Sequence, residues 1–298
     1  MLKSSRLFYP IALLLGSHLL GFALELESGS YTINQDWSQE QDYERSYFVH
    51  VPVPDSEDPL PLFIFLHGHG GNAEKSMQGF TRRYKELTKR YNMVFAQGYL
   101  KSWNIVSERS QAPDREFIEA IVTELAEYSN VKASGSVLMG SSNGAALVNQ
   151  FAIETELDHF SHYITVVSQL NAWQHDGTAF KAKGSDNNYI ESVVPLRGKC
   201  LLNVSGAGDR LVPYLGGPSR AIPAKDGKLA FVDAERSAFL WAQHYGYTGE
   251  QLSQPSESSD VMETFSYLDG TVTHYKMKTR GHNAGGGLTE AMLLKFLD

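Results

Sequence analysis

The stretch Gly135–Gln150 reads GSVLMGSSNGAALVNQ and contains a G-x-S-x-G pattern centred on Ser142. An apolar run that predicts a buried strand precedes the pattern, and an Ala/Leu/Val segment that predicts a helix follows it. Strand, sharp turn and helix are the context that a nucleophile elbow requires, because the turn exposes the central serine. Gly140 and Gly144 allow the tight turn and the close packing of strand and helix. The sequence therefore predicts Ser142 as a nucleophile, and the rest of the chain must supply a base, an acid and an oxyanion pocket.

The buried strand predicted over Leu60–Leu66 ends in the Gly-rich loop His67–Asn72, which reads HGHGGN. In hydrolases with an elbow serine, one oxyanion N–H follows the nucleophile, and the other comes from a loop after an early central strand. Here these donors are the backbone N–H groups of Asn143 and His69. A Gly-rich turn without a role is one alternative. A metal site at His67-x-His69 is another, but no Asp, Glu or Cys set of suitable spacing accompanies it, so we expect no metal.

Asp209 and His282 are the candidate acid and base. Asp209 lies in a Gly-rich loop after the predicted strand Leu201–Ser205, where such a hydrolase keeps the carboxylate that orients its histidine. An Asp in such a turn can also be only a turn former. His282 lies on a Gly-flanked loop after the predicted strand Thr271–Lys278.

Ser142, Asp209 and His282 follow one another in the order Ser, acid, His, which is the chain order of the α/β-hydrolase triad. His274 and His244 are rival bases. The first falls inside a predicted strand and the second inside a predicted helix, so neither has the loop freedom of His282.

Two tryptophans and one long connection are candidates for the walls of a substrate pocket. Trp103 lies in the loop after a short predicted strand, on the same side of the sheet as the His67 loop if the strands are parallel. Residues 171–199 are polar, irregular and too long for a plain connection, so we expect this segment to insert over the active site. Trp173 would line the pocket from that insertion.

The composition is that of an ordinary globular protein with one large core. The chain has 298 residues, of which 42% are hydrophobic and 20% are charged. Its net charge of -8 and the absence of a Lys/Arg-dominated stretch argue against a nucleic-acid partner. We expect a single catalytic domain over residues 24–298, with a mostly parallel central sheet flanked by helices.

The first 23 residues have the features of a secretory signal peptide. Lys3 and Arg6 precede an apolar run that ends in Gly21-Phe22-Ala23. Small residues at the first and third of those positions suit signal peptidase, which predicts cleavage near Ala23 and a secreted or periplasmic protein. An uncleaved anchor is the alternative, because the run is nearly long enough to span a bilayer. After cleavage we expect no stable membrane association.

Cys200 is the only cysteine of the chain. An exported protein with one cysteine has no internal disulfide, so its stability must come from the core. Because Cys200 opens an apolar run, we interpret it as a buried structural thiol rather than a reactive one.

Four segments resemble the secreted polyhydroxybutyrate depolymerase and feruloyl-esterase-like group of α/β-hydrolases. They are LHGHGGN at 66–72, GSSNGA at 140–145, GAGDRLVPYLGG at 206–217 and RGHN at 280–283. The third segment is the most specific, and its similarity to G-x-x-D-x-x-V-P-Y-x-G-G supports Asp209 over neighbouring acids. Tyr214, in the same segment, is a further candidate substrate-binding residue.

The resemblance implies an α/β-hydrolase fold and a serine carboxylic-ester hydrolase that needs no cofactor. The substrate would be a small or oligomeric ester. The chain has Asn283-Ala284-Gly285 where members of the group often carry an aromatic residue. A serine peptidase, an acyltransferase and a non-catalytic binding member of the same fold remain as alternatives.

Overall fold

The computed structural model describes residues 24–53 and 58–298, and it places ten strands of these residues in one sheet. The predicted signal peptide at residues 1–23, and with it the alternative of an anchor, lies outside the described residues. Within them, no helix is long and apolar enough to cross a bilayer.

The strands of the described residues are β1 (Gly29–Trp37), β2 (Glu40–His50), β3 (Leu60–Leu66), β4 (Asn92–Ala96), β5 (Val131–Ser141), β6 (Phe160–Val166), β7 (Phe180–Lys181), β8 (Ser192–Val193), β9 (Cys200–Gly206), β10 (Gly217–Ala224), β11 (Gly227–Phe231), β12 (Glu257–Ser258), β13 (Met262–Tyr267) and β14 (Val272–Met277). The α-helices are α1 (Ala73–Arg83), α2 (Lys85–Thr88), α3 (Asp114–Leu125), α4 (Asn143–Glu154), α5 (Ala234–His244) and α6 (Glu290–Leu297).

The centre of the large sheet consists of parallel strands in the order β4, β3, β5, β6, β9 and β14. Antiparallel strands extend both sides, β2 and β1 beyond β4, and β13 and β12 beyond β14. From β3 the chain moves outward to β4 and then returns to β5 on the other side. Open sheets of this kind bind ligands at such a switch point, beyond the carboxyl ends of the strands. The loops after β3 and β5 therefore meet where a site is expected.

Helices cover both faces of the sheet, and an apolar core lies between the sheet and the helices on each face. One core includes Ile118 of α3, Leu147 of α4 and Trp241 of α5. The other includes Phe80 of α1 and Leu293 of α6. Helix α4 is buried along nearly its whole length, as expected for the apolar segment that follows the elbow.

Helix α5 begins with a side-chain cap, because Asp233 accepts the N–H of Arg236 at 2.9 Å. Helix α3 begins differently. Asp114 does not cap it but is the first helical residue, after Pro113. Its carboxylate is buried and forms an ion pair with Arg45.

Cys200 begins β9 and is partly buried. Burial raises the pKa of its thiol above the usual value. A raised pKa lowers the thiolate fraction, which fits the interpretation of Cys200 as an unreactive structural residue.

Candidate active site

Ser142 lies between β5 and α4 in a backbone conformation that few residues adopt. Its φ of 54° and ψ of -119° place a side-chain-bearing residue in the left-handed half of conformational space. Such a conformation costs on the order of 1–3 kcal/mol and persists only where the surroundings enforce it. The Ser142 N–H donates to the carbonyl of Val166 at 2.8 Å, which fixes the turn against β6. The G-x-S-x-G pattern therefore forms the sharp turn that the sequence predicts.

The two glycines of the pattern are required by close contacts of the backbone. A Cβ added at Gly140 would lie 2.3 Å from the carbonyl oxygen of Gly144. A Cβ at Gly144 would lie 2.4 Å from the carbonyl oxygen of Leu66. Any side chain at either position would separate α4 from β5 or from the end of β3.

The structure brings Ser142, His282 and Asp209 together, although they are far apart in the chain. The Ser142 Oγ lies 2.8 Å from His282 Nε2, and His282 Nδ1 lies 2.8 Å from Asp209 Oδ2. A neutral imidazole satisfies both contacts by accepting from the hydroxyl and donating to the carboxylate. This is the hydrogen-bond order of a serine, base and acid triad. The His282 side chain is 30% exposed and that of Asp209 only 3%, so the base is accessible and the acid is shielded.

Asp209 is held by its own turn. Its Oδ1 accepts the N–H groups of Leu211 at 2.8 Å and Val212 at 3.0 Å. These two bonds occupy one carboxylate oxygen and leave Oδ2 for His282. Asp209 is thus both a turn former and the partner of the histidine, which combines the two interpretations that the sequence leaves open.

The rival histidines are placed elsewhere. His274 is fully buried in β14, and its ring lies 2.9 Å from the Tyr214 hydroxyl and 2.7 Å from Asn203 Oδ1. Burial lowers the pKa of His274 to about 3. His244 Nε2 contacts the carbonyl of Pro195 at 2.8 Å. Neither ring contacts Ser142.

The backbone N–H groups of His69 and Asn143 come from the two loops that flank the switch point. Within the described residues, neither N–H donates to a protein acceptor. Asn143 is the first residue of α4, where unpaired N–H groups and the helix dipole favour negative charge. Both donors are therefore available to a carbonyl oxygen that develops charge beside Ser142.

The Gly-rich loop that carries His69 is anchored by His67. The His67 Nε2 accepts the N–H of Gly98 at 3.0 Å, and Nδ1 lies 2.7 Å from the carbonyl of Gly68. Burial lowers the pKa of His67, so the ring is held neutral. Trp103 completes the anchor, because its indole N–H donates to the His67 carbonyl at 2.7 Å.

A buried hydroxyl joins the two loops that carry the predicted oxyanion donors. Ser102 Oγ lies 3.1 Å from His69 Nδ1 and donates to Asn143 Oδ1 at 3.2 Å. The Asn143 amide also accepts the N–H of Trp103 at 2.7 Å and donates to the Trp103 carbonyl at 3.1 Å. The segment at residues 98–103 therefore sets the position of both donors.

A pocket of about 380 Å³ opens beside Ser142. His69, Asn143 and Ala146 border it at the elbow, and Ser107, Glu108 and Arg109 supply polar groups. Its other walls are mainly apolar and include Ile105, Leu211, Val212, Ile222, Leu229 and Phe231. An apolar pocket with few polar groups beside a nucleophile suits a small organic substrate.

The three predicted substrate-binding aromatic residues do not line this pocket. Trp103 is 0% exposed and supports the oxyanion loop from beneath. Tyr214 is buried, and its hydroxyl bonds to Glu235 at 2.9 Å beside His274. Trp173 packs on Tyr189 with ring centroids 6.0 Å apart. Trp103 and Tyr214 are therefore corrected to anchoring and packing roles, whereas the partly exposed Trp173 stays a prediction.

The prediction that residues 171–199 cover the site is also wrong for this pocket, since none of them lines it. Their strands β7 and β8 form a separate two-stranded sheet that is not hydrogen-bonded to the central sheet. The β10–β11 hairpin supplies that wall instead, through Ile222, Leu229 and Phe231. The Asp226-Gly227 dipeptide is a turn signal that could have identified the hairpin.

The His67 and His69 rings have different hydrogen-bond partners. His67 accepts the N–H of Gly98, and His69 contacts the hydroxyl of Ser102. In residues 24–53 and 58–298, no three His, Cys, Asp or Glu side chains are grouped so that they could hold a metal ion. The local geometry of the two histidines is that of structural anchors.

No family model matches the chain, and no curated protein matches its sequence. Solved structures do match its fold. An acetyl xylan esterase from Aspergillus awamori has a TM-score of 0.57 and 13% identity, over 85% of this chain and 93% of that one. Thermogutta terrifontis esterase 2, phosphorylated by paraoxon, has a TM-score of 0.51 and 13% identity, over 91% of this chain and 90% of that one. With its mostly parallel sheet flanked by helices, the chain has the α/β-hydrolase fold.

Proposed function

We propose that the chain is a serine hydrolase that cleaves carboxylic esters through an acyl-enzyme on Ser142. The observation that carries this proposal is the continuous contact from Ser142 Oγ through His282 to Asp209, with both distances at 2.8 Å. The nucleophile is strained and partly exposed at an elbow, and two unpaired N–H groups lie on the adjacent loops. The two structural neighbours, both esterases by name, agree with this chemistry.

In the proposed reaction, Ser142 Oγ attacks the ester carbonyl carbon while its proton passes to His282 Nε2. Asp209 stabilises the charged imidazole, and the N–H groups of His69 and Asn143 bind the oxyanion. His282 then gives its proton to the leaving alcohol oxygen, which leaves the acyl group on Ser142. Water attacks this acyl-enzyme, with His282 again taking the proton, and the acid departs as Ser142 regains its hydrogen.

The substrate class and location of this enzyme are also part of the proposal. A pocket of about 380 Å³ with apolar walls accommodates the acyl or alcohol part of a feruloyl-type or short hydroxyalkanoate ester. The four motif segments support that class, and the basic and apolar N-terminus supports secretion or export to a periplasm.

The direct test compares Ser142→Ala with Ser141→Ala, a matched change at the neighbouring serine. With p-nitrophenyl butyrate, Ser142→Ala should lose at least about a thousandfold in kcat, since removal of a triad nucleophile costs that much or more. Ser141→Ala should stay close to the parent protein. A fluorophosphonate probe should label the Ser142 peptide of the parent and of Ser141→Ala only. Full activity in folded Ser142→Ala would refute the proposal.

Peptide amides and an added alcohol acceptor, assayed beside the esters, separate a peptidase or an acyltransferase from an esterase. We expect hydrolysis of aryl and alkyl esters to exceed cleavage of the matched amides. Faster amide cleavage would assign the same triad to peptidase chemistry.

A further inference from the structure

The loop at residues 207–216 (the acid loop) connects β9 to β10 and carries Asp209. Its start is fixed against the loop of His282, because the Gly208 N–H donates to the carbonyl of Arg280 at 2.9 Å. This bond holds the backbone just before Asp209. The carboxylate also accepts N–H groups from residues that follow it, so its orientation depends on the position of the second half of the loop.

Tyr214 attaches that second half to the interior of the fold. The side chain is buried, and its hydroxyl lies 2.9 Å from Glu235 Oε1 on α5 and 2.9 Å from His274 Nε2 on β14. The Tyr214 carbonyl accepts the N–H of Ala234 at 2.9 Å, which fixes the backbone at the same point to the start of α5. The acid loop is therefore bonded to a helix and to a strand shortly after Asp209.

The Tyr214 hydroxyl belongs to a wider network of polar side chains. The other ring nitrogen of His274 lies 2.7 Å from Asn203 Oδ1 on β9, the strand that leads into the acid loop. Towards solvent, Lys276 Nζ pairs with Glu235 at 3.2 Å and lies 5.0 Å from the centroid of the Tyr214 ring. The strand before the acid loop and the second half of the loop thus contact the same network, one through Asn203 and the other through Tyr214.

We propose that Tyr214 is a positioning residue, whose hydroxyl fixes the acid loop so that Asp209 Oδ2 stays within hydrogen-bond distance of His282. Asp209 stabilises the charged imidazole that forms as Ser142 attacks, and a displacement of about 1 Å can cost roughly a hundredfold in rate. Tyr214 does not line the pocket, so its effect falls on the transition state rather than on substrate binding. This inference rests on the proposed ester hydrolysis and adds a residue that acts through Asp209.

The test measures kcat and KM for p-nitrophenyl butyrate in Tyr214→Phe, which keeps the ring and removes only the hydroxyl. We expect kcat to fall about tenfold while KM stays close to the parent value. Tyr47→Phe is the matched control, because Tyr47 is also buried and its hydroxyl donates to a glutamate, Glu124, at 3.1 Å. It should keep the parent kcat. Urea unfolding curves establish that both variants are folded.

The same substitution in an Asp209→Asn background separates positioning from a general effect on the fold. Without the carboxylate there is no acid to position, so Tyr214→Phe should lower the residual rate by less than about twofold. The residual rate is measured as p-nitrophenol release at high enzyme concentration. An equal tenfold loss in both backgrounds would show that Tyr214 does not act through Asp209, and this result overturns the inference. An unchanged kcat in Tyr214→Phe overturns it as well.

Glu235→Gln is a second variant of the same network and decides the outcome if Tyr214→Phe does not fold. The Glu235 side chain is 22% exposed, and glutamine keeps an acceptor oxygen without the charge. We expect a severalfold loss of kcat that disappears in the Asp209→Asn background. A loss that persists there, or no loss at all, counts against the inference. A parent enzyme that cleaves no ester refutes the proposed function instead.

Discussion

Arg45 on β2 and Asp114 at the start of α3 form a buried ion pair, with Nη2 of the arginine 2.6 Å from Oδ1 of the aspartate. Neither side chain is more than 1% exposed. The other oxygen of Asp114 accepts the N–H of Asn104 at 2.6 Å. Since Asn104 directly precedes the part of the pocket lining at residues 105–109, this pair links strand β2 to the pocket beside Ser142.

Replacement of Asp114 by Asn should destabilise the fold strongly. It leaves the Arg45 guanidinium charged and buried without its partner, a change that typically costs about 3–5 kcal/mol. The measurement is the free energy of unfolding in urea. Asp298→Asn is the matched control, because the Arg90–Asp298 pair is largely exposed, and its loss should cost no more than about 1 kcal/mol. Equal small effects in the two variants would contradict this account.

Ser102→Ala should lower kcat more than it raises KM. The variant breaks the link between the His69 ring and the Asn143 amide, which positions the two oxyanion donors. In the proposed mechanism these donors act on charge that develops in the transition state, so we expect a loss of about tenfold in kcat, or about 1.4 kcal/mol. Ser76→Ala on α1 is the control, because this hydroxyl donates to the carbonyl of Asn72, the N-cap residue of α1. A change confined to KM would assign Ser102 to substrate binding.

Local sequence signals predict the central strands, the elbow and the order of the triad residues. Each of these depends on a short pattern: an apolar run, a pair of glycines, or a polar residue directly after a strand. Asp209 and His282 each follow a strand that belongs to the parallel part of the sheet. The carboxyl ends of parallel strands lie on one edge, so strand position alone was enough to bring these side chains to Ser142.

The pocket could not be predicted in the same way, because its walls come from loops whose course depends on tertiary contacts. An exposed Trp and a buried Trp look alike in a sequence, and only the bond from Trp103 to the His67 carbonyl shows that this ring lies beneath the loop. The length of the segment at residues 171–199 predicts that it covers the active site, but the length of a loop does not show towards which part of the fold the loop runs. The shorter β10–β11 hairpin forms that wall.

Ile222→Trp should reduce the length of the acyl chain that the pocket accepts. Ile222 lines the pocket from β10, so a larger side chain there fills part of the roughly 380 Å³ beside Ser142. We expect kcat/KM for p-nitrophenyl octanoate to fall at least about tenfold relative to p-nitrophenyl acetate, since strained packing costs about 1–3 kcal/mol. Arg220→Trp, two residues away at an exposed position outside the pocket, should leave this ratio unchanged. If Ile222→Trp also leaves it unchanged, the hairpin is not a wall of the substrate site.

The buried ring of His274 should make the stability of the fold dependent on pH. Burial lowers the pKa of His274 from 6.5 to about 3. Above pH 6.5 the ring is neutral in both the folded and the unfolded chain, so its contribution to stability is fully present. As the pH falls towards 3, only the unfolded chain takes up this proton, and the free energy of unfolding declines by about 1.4 kcal/mol per pH unit.

The difference in the free energy of unfolding between the parent and His274→Gln isolates the contribution of this ring, because the other buried histidines are present in both proteins. The variant should be less stable near pH 7, where Tyr214 and Asn203 lose their ring partner. On acidification to about pH 5, the stability difference between parent and variant should shrink by about 2 kcal/mol, since only the parent chain binds the extra proton on unfolding. Urea titrations at several pH values measure that difference. A constant difference would mean that His274 is protonated in the folded protein, which its full burial beside Lys276 argues against.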